Sequence, residues 1–134
     1  MHSSTLTLDR CVRRGTHRGR GRTRSLDPAT SAARHLHYGR VILAGEDAPV
    51  AFSTGGLETG FVALGGRAEV RTGSRSFTLA PYDALYVPRD SQLEIRPSGA
   101  GCDLAEIAAP VEGAYPLQYV AWTDVQKDPG LHFK

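Results

Sequence analysis

An all-β domain, either an antiparallel sandwich or a barrel, is what this sequence of 134 residues predicts. Three observations lead there. The apolar runs are short and alternating, turn formers recur about every eight to twelve residues, and no helical stretch separates the runs as βαβ units would require. The densest part is 58–97, ETGFVALGGRAEVRTGSRSFTLAPYDALYVPRDSQLEIRP. Within it the runs 61–64, 68–71, 76–79, 84–87 and 93–95 are each too brief for a helix. Gly-Gly, Thr-Gly-Ser and two proline-containing turns bound them, so each reads as a strand. Gly65, Gly66 and Gly73 are assigned to hairpin geometry, because glycine adopts positive φ without strain. None sits between a strand and a helix, as a phosphate-binding loop would require.

Upstream, residues 1–30 have no sustained apolar period and include RRGTHRGRGRTR. Glycine and mutually repelling arginines oppose both helix and burial, so a disordered basic tail is expected, followed by one β domain over 31–134. Three functional readings compete with plain disorder. They are non-specific binding to nucleic-acid phosphates, an organelle transit peptide, and a true start that lies downstream. The first lacks interleaved aromatic residues, and glycines prevent an amphipathic helix for the second, so nucleic acid is not an expected partner.

From residue 32 the pattern changes. RHLHYGRVILAG alternates as far as Gly45 and reads as the first core strand, with His35 and His37 on one face of it. An H-x-H pair can chelate a metal, but the nearest acids, Glu46 and Asp47, lie beyond the strand's end. The pair is read as two half-exposed histidines. Residues 46–49 form a turn, 50–52 a short strand and 53–56 a loop leading to Glu58. After Pro97 comes another turn, SGAG, and then the strand CDLAEIA. Tyr115, Tyr119 and Trp122 form the densest aromatic patch, suited to packing on the sheet or to an interface. The ending QKDPGLHFK holds a turn and then an apolar pair, the start of a further element.

Composition bounds the function. One domain of this length buries roughly two-thirds of its unfolded surface, enough for a core. No apolar run approaches the roughly 18 residues of a membrane span, so no membrane role is expected. Cys11 and Cys102 have neither disulfide-framework nor metal-ligand spacing, and read as reduced thiols of a cytoplasmic protein. Residues 1–40 hold nine arginines against Asp9 and Asp27, a net +7, whereas the remainder is −5, so a basic tail precedes an acidic domain.

Glu58, the subsequent FVALGGRAEV, the Gly73 turn, FTLAPYDALYVPRD and LEI together resemble the cupin pattern, which implies a single small jelly-roll barrel. More closely, ETGFVALGG, YDALYVPRD and AAPVEGAYPLQYV are similar to the N-terminal half of the bacterial uronate isomerases. These are the 5-deoxyglucuronate isomerases of inositol catabolism and the 5-keto-4-deoxyuronate isomerases of pectin breakdown. The likeness spans roughly 38–120. It implies carbohydrate metabolism and an aldose–ketose isomerase in which a divalent metal such as zinc belongs to the C-terminal half.

The departures bear on the activity of this chain. Metal-binding cupins place H-x-H shortly before the glutamate and a third histidine after the second-motif proline. Those positions here fall near Phe52, Thr54 and Leu93, leaving Glu58 alone. No metal or other cofactor is therefore expected in this chain, and no catalytic residue is assigned. Two functions are expected: a structural or substrate-enclosing half of an isomerase system, and a stand-alone metal-free cupin binding a small carbohydrate or carboxylate, such as a sugar acid. Thr54, Glu58 and Gln92 are the candidate ligand-binding residues at the barrel mouth. Glu58 alternatively serves as a loop carboxylate accepting backbone N–H bonds. Unpaired sheet edges and the aromatic C-terminal segment favour a homo-oligomer or pairing with a second cupin domain.

Overall fold

Two long strands, paired along their length, carry the architecture. The structure, a computed structural model, describes residues 6–132. In chain order the elements are α1 (Leu8–Cys11), β1 (Gly21–Leu26), β2 (His37–Ala44), β3 (Val50–Ser53), β4 (Leu57–Thr72), β5 (Arg75–Leu79), β6 (Ala84–Val87), β7 (Gln92–Pro110), β8 (Gln118–Val120) and α2 (Trp122–Lys127). The strands form one antiparallel sheet in the order β1-β2-β7-β4-β6-β8, with β3 added to β7 and β5 to β4.

Strands β4 and β7 pair from Leu57↔Pro110 to Thr72↔Leu93, with irregularities around Ala63–Gly65 and Gly66–Ala68. Here the structure departs from expectation. From sequence alone Gly65-Gly66 reads as a hairpin turn and SGAG as another, yet each lies inside a continuous strand. Gly66 has φ +67° and Gly101 φ +138°, and Gly66 pairs with Cys102. The two departures from regular strand geometry thus lie beside each other, bending both strands without breaking their ladder. A Cβ on Gly66 would lie 2.1 Å from the Gly101 carbonyl oxygen, so only glycine fits.

The bend folds the sheet over itself. Val41, Phe61, Ala63, Leu85, Val87 and Leu104 from one half meet Ala68, Val70, Leu79, Leu93 and Ile95 from the other in a single buried cluster. Alternation supplies this core: Thr59, Phe61 and Ala63 of β4 are buried, whereas Leu64 is 40% exposed. The all-β jelly-roll barrel of the cupin type is thus realised with longer strands than the local runs suggest, since 61–64 and 68–71 merge into β4 and 93–95 and CDLAEIA into β7.

The sheet also takes in part of the Arg-rich segment that sequence reading left outside the domain. Strand β1 pairs with β2, Arg22 opposite Val41 and Arg24 opposite Gly39. Both arginines reach Glu106, itself 2% exposed: Arg22 Nε and Nη2 donate to its two oxygens at 2.8 and 2.7 Å, and Arg24 Nη2 donates at 3.0 Å. The Arg22 guanidinium also lies 3.6 Å from the centre of the Phe52 ring. Nearby, Arg40 grips Asp103 with two hydrogen bonds of 2.9 and 2.5 Å. Charge pairing, absent from any local apolar pattern, docks this strand. The first five residues of the expected tail lie outside the described residues.

At the other edge, β8 pairs with β6. Asp83 fastens the C-terminal segment to the sheet, accepting from the Tyr119 hydroxyl at 3.0 Å and from the Trp122 backbone N–H at 2.8 Å. The Tyr119 ring packs on Phe77 with centroids 5.6 Å apart. Part of the aromatic segment therefore packs on its own sheet.

Candidate functional site

The three candidate residues do not converge. Thr54 is buried, its hydroxyl donating to the Pro88 carbonyl at 2.9 Å and accepting from the Ser91 N–H at 3.0 Å. It staples the end of β3 to the β6–β7 connection, and both of its hydrogen-bonding roles are filled. Gln92 is exposed at the start of β7, opposite Ser53, and borders a shallow hollow shared with Ala51, Arg71, Gly73, Leu93 and Glu94. Glu58 lies elsewhere, near the start of β4 opposite Ala109. Because Thr59 and Phe61 point inward, Glu58 and Gly60 point to the outer face of the sheet. The barrel-mouth grouping expected from sequence therefore does not form, because strand alternation puts the carboxylate outside.

The surroundings of Glu58 are more informative. On β6 the inward residues are Leu85 and Val87, so Tyr86 faces outward beside Gly60, its partner in the ladder. Its hydroxyl donates to Glu58 Oε2 at 2.6 Å. A hollow of about 270 Å³ lies against Glu58, Thr59, Gly60, Tyr86, Ile107, Ala108 and Ala109. A second, of about 340 Å³, shares Glu58 and Tyr86 and is completed by Tyr115 and Gln118. Burial first, and then the hydrogen bond and charge of Glu58, push the Tyr86 phenol up to about 12, so it stays a donor at neutral pH. Tyr86 and Gln118 lie within the YDALYVPRD and AAPVEGAYPLQYV segments that carry the family likeness, but the likeness marks neither as a site residue. The outward position of Tyr86 in the alternating ALYV run is the signal that could have placed it beside Glu58.

The positions where a metal-binding cupin holds its ligands do not fit an ion here. Phe52 packs edge-on against Phe61 with centroids 6.5 Å apart, Leu93 is part of the core and Glu58 faces out. Among the described residues no three His, Cys, Asp or Glu side chains gather as a metal site. The histidine pair is also separated. Strand β2 begins at His37, and His35 lies exposed in the bend before it. His37 Nδ1 sits 2.7 Å from Arg24 Nη1. A guanidinium can only donate, so Nδ1 accepts and the ring is already engaged.

Comparison with known proteins settles the family. Residues 11–129 match the KduI/IolB family. This chain belongs to the KduI/IolB family. None of the curated proteins matches it. Among solved structures, an IolB-like protein from Salmonella typhimurium is similar with a TM-score of 0.65 and 18% identity, over 77% of this chain and 42% of that one. The cupin domain of Schizosaccharomyces pombe Cnp3 is similar with a TM-score of 0.57 and 17% identity, over 67% of this chain and 60% of that one. A protein of unknown function from Rhizobium leguminosarum gives 0.55 and 18%, over 83% and 100%. At these identities the likeness shows the cupin fold. This KduI/IolB chain spans less than half the length of the IolB-like protein. Among its described residues no helix is long and apolar enough to cross a membrane.

Proposed function

We propose that this chain is the structural, substrate-enclosing cupin of a sugar-acid (uronate) isomerase system, with the metal and the proton transfer supplied by a second cupin domain. The observation that carries this reading is coverage: one barrel with the fold of 42% of an IolB-like protein. Aldose–ketose isomerisation moves a proton between adjacent carbons and needs an electrophile and a general base around the substrate. In this barrel the inward positions are filled by Phe52, Phe61 and Leu93, and the inward carboxylate, Glu106, is held by two arginines. The exposed Ile107 and Val120 on the outer face suit pairing with a second cupin domain or a second copy. Nucleic acid is not a proposed partner, since Arg13, Arg22 and Arg24 of the Arg-rich segment hydrogen-bond within the domain.

The test is elemental analysis of the purified chain combined with isomerase assays on 5-deoxyglucuronate and 5-keto-4-deoxyuronate, with and without added zinc. No turnover is expected from the chain alone. Turnover with stoichiometric metal would overturn the reading.

A second reading is favoured by the hollow beside Glu58: a stand-alone, metal-free cupin that binds a small carbohydrate or carboxylate without transforming it. A thermal-shift panel of sugars and uronic acids in which nothing raises the melting temperature would remove its support.

A further inference from the structure

We infer that the outer-face site formed by Glu58, Tyr86, Tyr115 and Gln118 selects an uncharged polyhydroxylated ligand, a neutral sugar or polyol, and rejects the corresponding sugar acid. The inference rests on the ligand-binding reading and names the class of ligand.

Shape comes first. The two hollows share Glu58 and Tyr86 and so adjoin, and the larger, about 340 Å³, already falls within the range of roughly 300–1,000 Å³ usual for small-molecule sites. Their lining is segregated. Gly60, Ile107, Ala108 and Ala109 make an apolar floor, whereas Glu58 and Gln118 place a carboxylate and an amide at the side. Tyr86 and Tyr115 add two aromatic rings, the second 56% exposed. A sugar ring has the matching division, with C–H faces that lie on apolar and aromatic surfaces and hydroxyl edges that exchange hydrogen bonds.

Charge then decides the class. Glu58 is the one carboxylate lining either hollow, and no Arg, Lys or His lines them among the described residues. Its Oε2 accepts from Tyr86, which fixes the carboxylate, while Oε1 has no hydrogen-bond partner among the described residues. A fixed carboxylate with an oxygen to spare accepts hydroxyl donors well, because charge-assisted hydrogen bonds are the stronger kind. The same group repels a second carboxylate with no cation to offset it. Arg89 lines neither hollow and bonds Val111, Glu112 and Asp90. Arg22 and Arg24 are on the inner side with Glu106. The amide of Gln118 supplies both a donor and an acceptor for the remaining hydroxyls.

The experiment is calorimetric or ligand-observed NMR titration of the full chain near neutral pH with two matched pairs, glucose against glucuronate and galactose against galacturonate. The expected result is binding of a neutral sugar, with its uronate about tenfold weaker or worse. Tyr115→Ala should weaken the neutral sugar about tenfold through loss of the aromatic face, and Glu58→Gln should narrow the gap between sugar and uronate, with circular dichroism confirming that both variants fold. A uronate that binds the unaltered chain as well as its neutral partner, or better, would overturn the inference and leave the ligand-binding reading standing. Failure of all four compounds to bind would remove both.

Discussion

The Tyr86 hydroxyl and Glu58 Oε2, 28 positions apart in sequence, meet at 2.6 Å on the outer face of the sheet. Two outward positions on paired strands bring them together, and the pair ties a tyrosine's ionisation to the fold. Burial is the larger reason that Tyr86 is pushed from 10.0 up to about 12, and Glu58 is the next. The folded chain holds this proton more tightly than the unfolded chain. The stabilising contribution is therefore fully present below about pH 10 and is lost as the pH rises towards 12. A spectrophotometric titration of tyrosinate should show Tyr86 ionising late, alongside Tyr119, whose pKa is also raised, and the Tyr86 contribution should disappear in Tyr86→Phe. In Glu58→Gln it should move part of the way back, since burial remains. An unchanged titration in Tyr86→Phe would mean that Tyr86 is not a late-ionising group.

Glu106 is buried between arginines that come from 82 and 84 positions earlier. Replacing Arg22 and Arg24 together by alanine should cost about 3 kcal/mol, because it leaves an uncompensated buried carboxylate. Adding Glu106→Leu to that variant should recover most of the loss, since a well-packed apolar residue is often as good as a buried ion pair. Urea unfolding of the parent and both variants would measure this, and a triple variant no more stable than the double one would show that β1 contributes something other than charge pairing.

Gly66→Ala should destabilise the protein by more than about 3 kcal/mol, combining a strained positive φ with a backbone clash across the bend. The new Cβ would be 2.1 Å from a carbonyl oxygen of the neighbouring strand. Gly73→Ala offers a control, because its φ of +59° carries the same local strain but a Cβ there meets nothing. The thermal midpoint should fall much further for the first. Equal losses would mean that backbone conformation, and not the close approach, sets the cost.

Asp83→Ala should loosen the segment from β8 through α2. It removes the acceptor for the Tyr119 hydroxyl, the Trp122 N–H and the Ala80 N–H, at a cost of about 2–3 kcal/mol. Burial, with Asp83 as the next cause, raises the Tyr119 pKa, so the same change should let Tyr119 ionise earlier. Trypsin should also cut at Lys127 faster in the variant, and an unchanged cleavage rate would place the anchorage elsewhere.

The fold class was legible because its signals are local. Alternation and turn residues sit within a few positions of one another, and they locate β2, β5 and β6. The illegible part depends on partners far along the chain. A bulge and a hairpin turn make the same local demand for glycine, and only the pairing of Gly66 with Cys102 tells that β4 continues. Strand β1, GRTRSL, has almost no apolar residue, and its inward side chains are arginines whose acceptor is on β7. In the site, the cupin-like pattern drew attention to Glu58, but not to its outward direction, which reverses its meaning. Thr54 resembles a ligand-binding residue in any loop until its two backbone partners are seen.

The docking of β1 changes the effect of shortening this chain. A version beginning after residue 30, designed to strip away surplus positive charge, would also strip the outermost strand from β2 and leave Glu106 without its arginines. The newly bared N–H and C=O groups of β2 would be a template for another chain's strand. Loss of solubility or of binding in such a version would then report a damaged rim and not a missing polyelectrolyte. Charge is better removed at Arg14 and Arg18, which precede the strand.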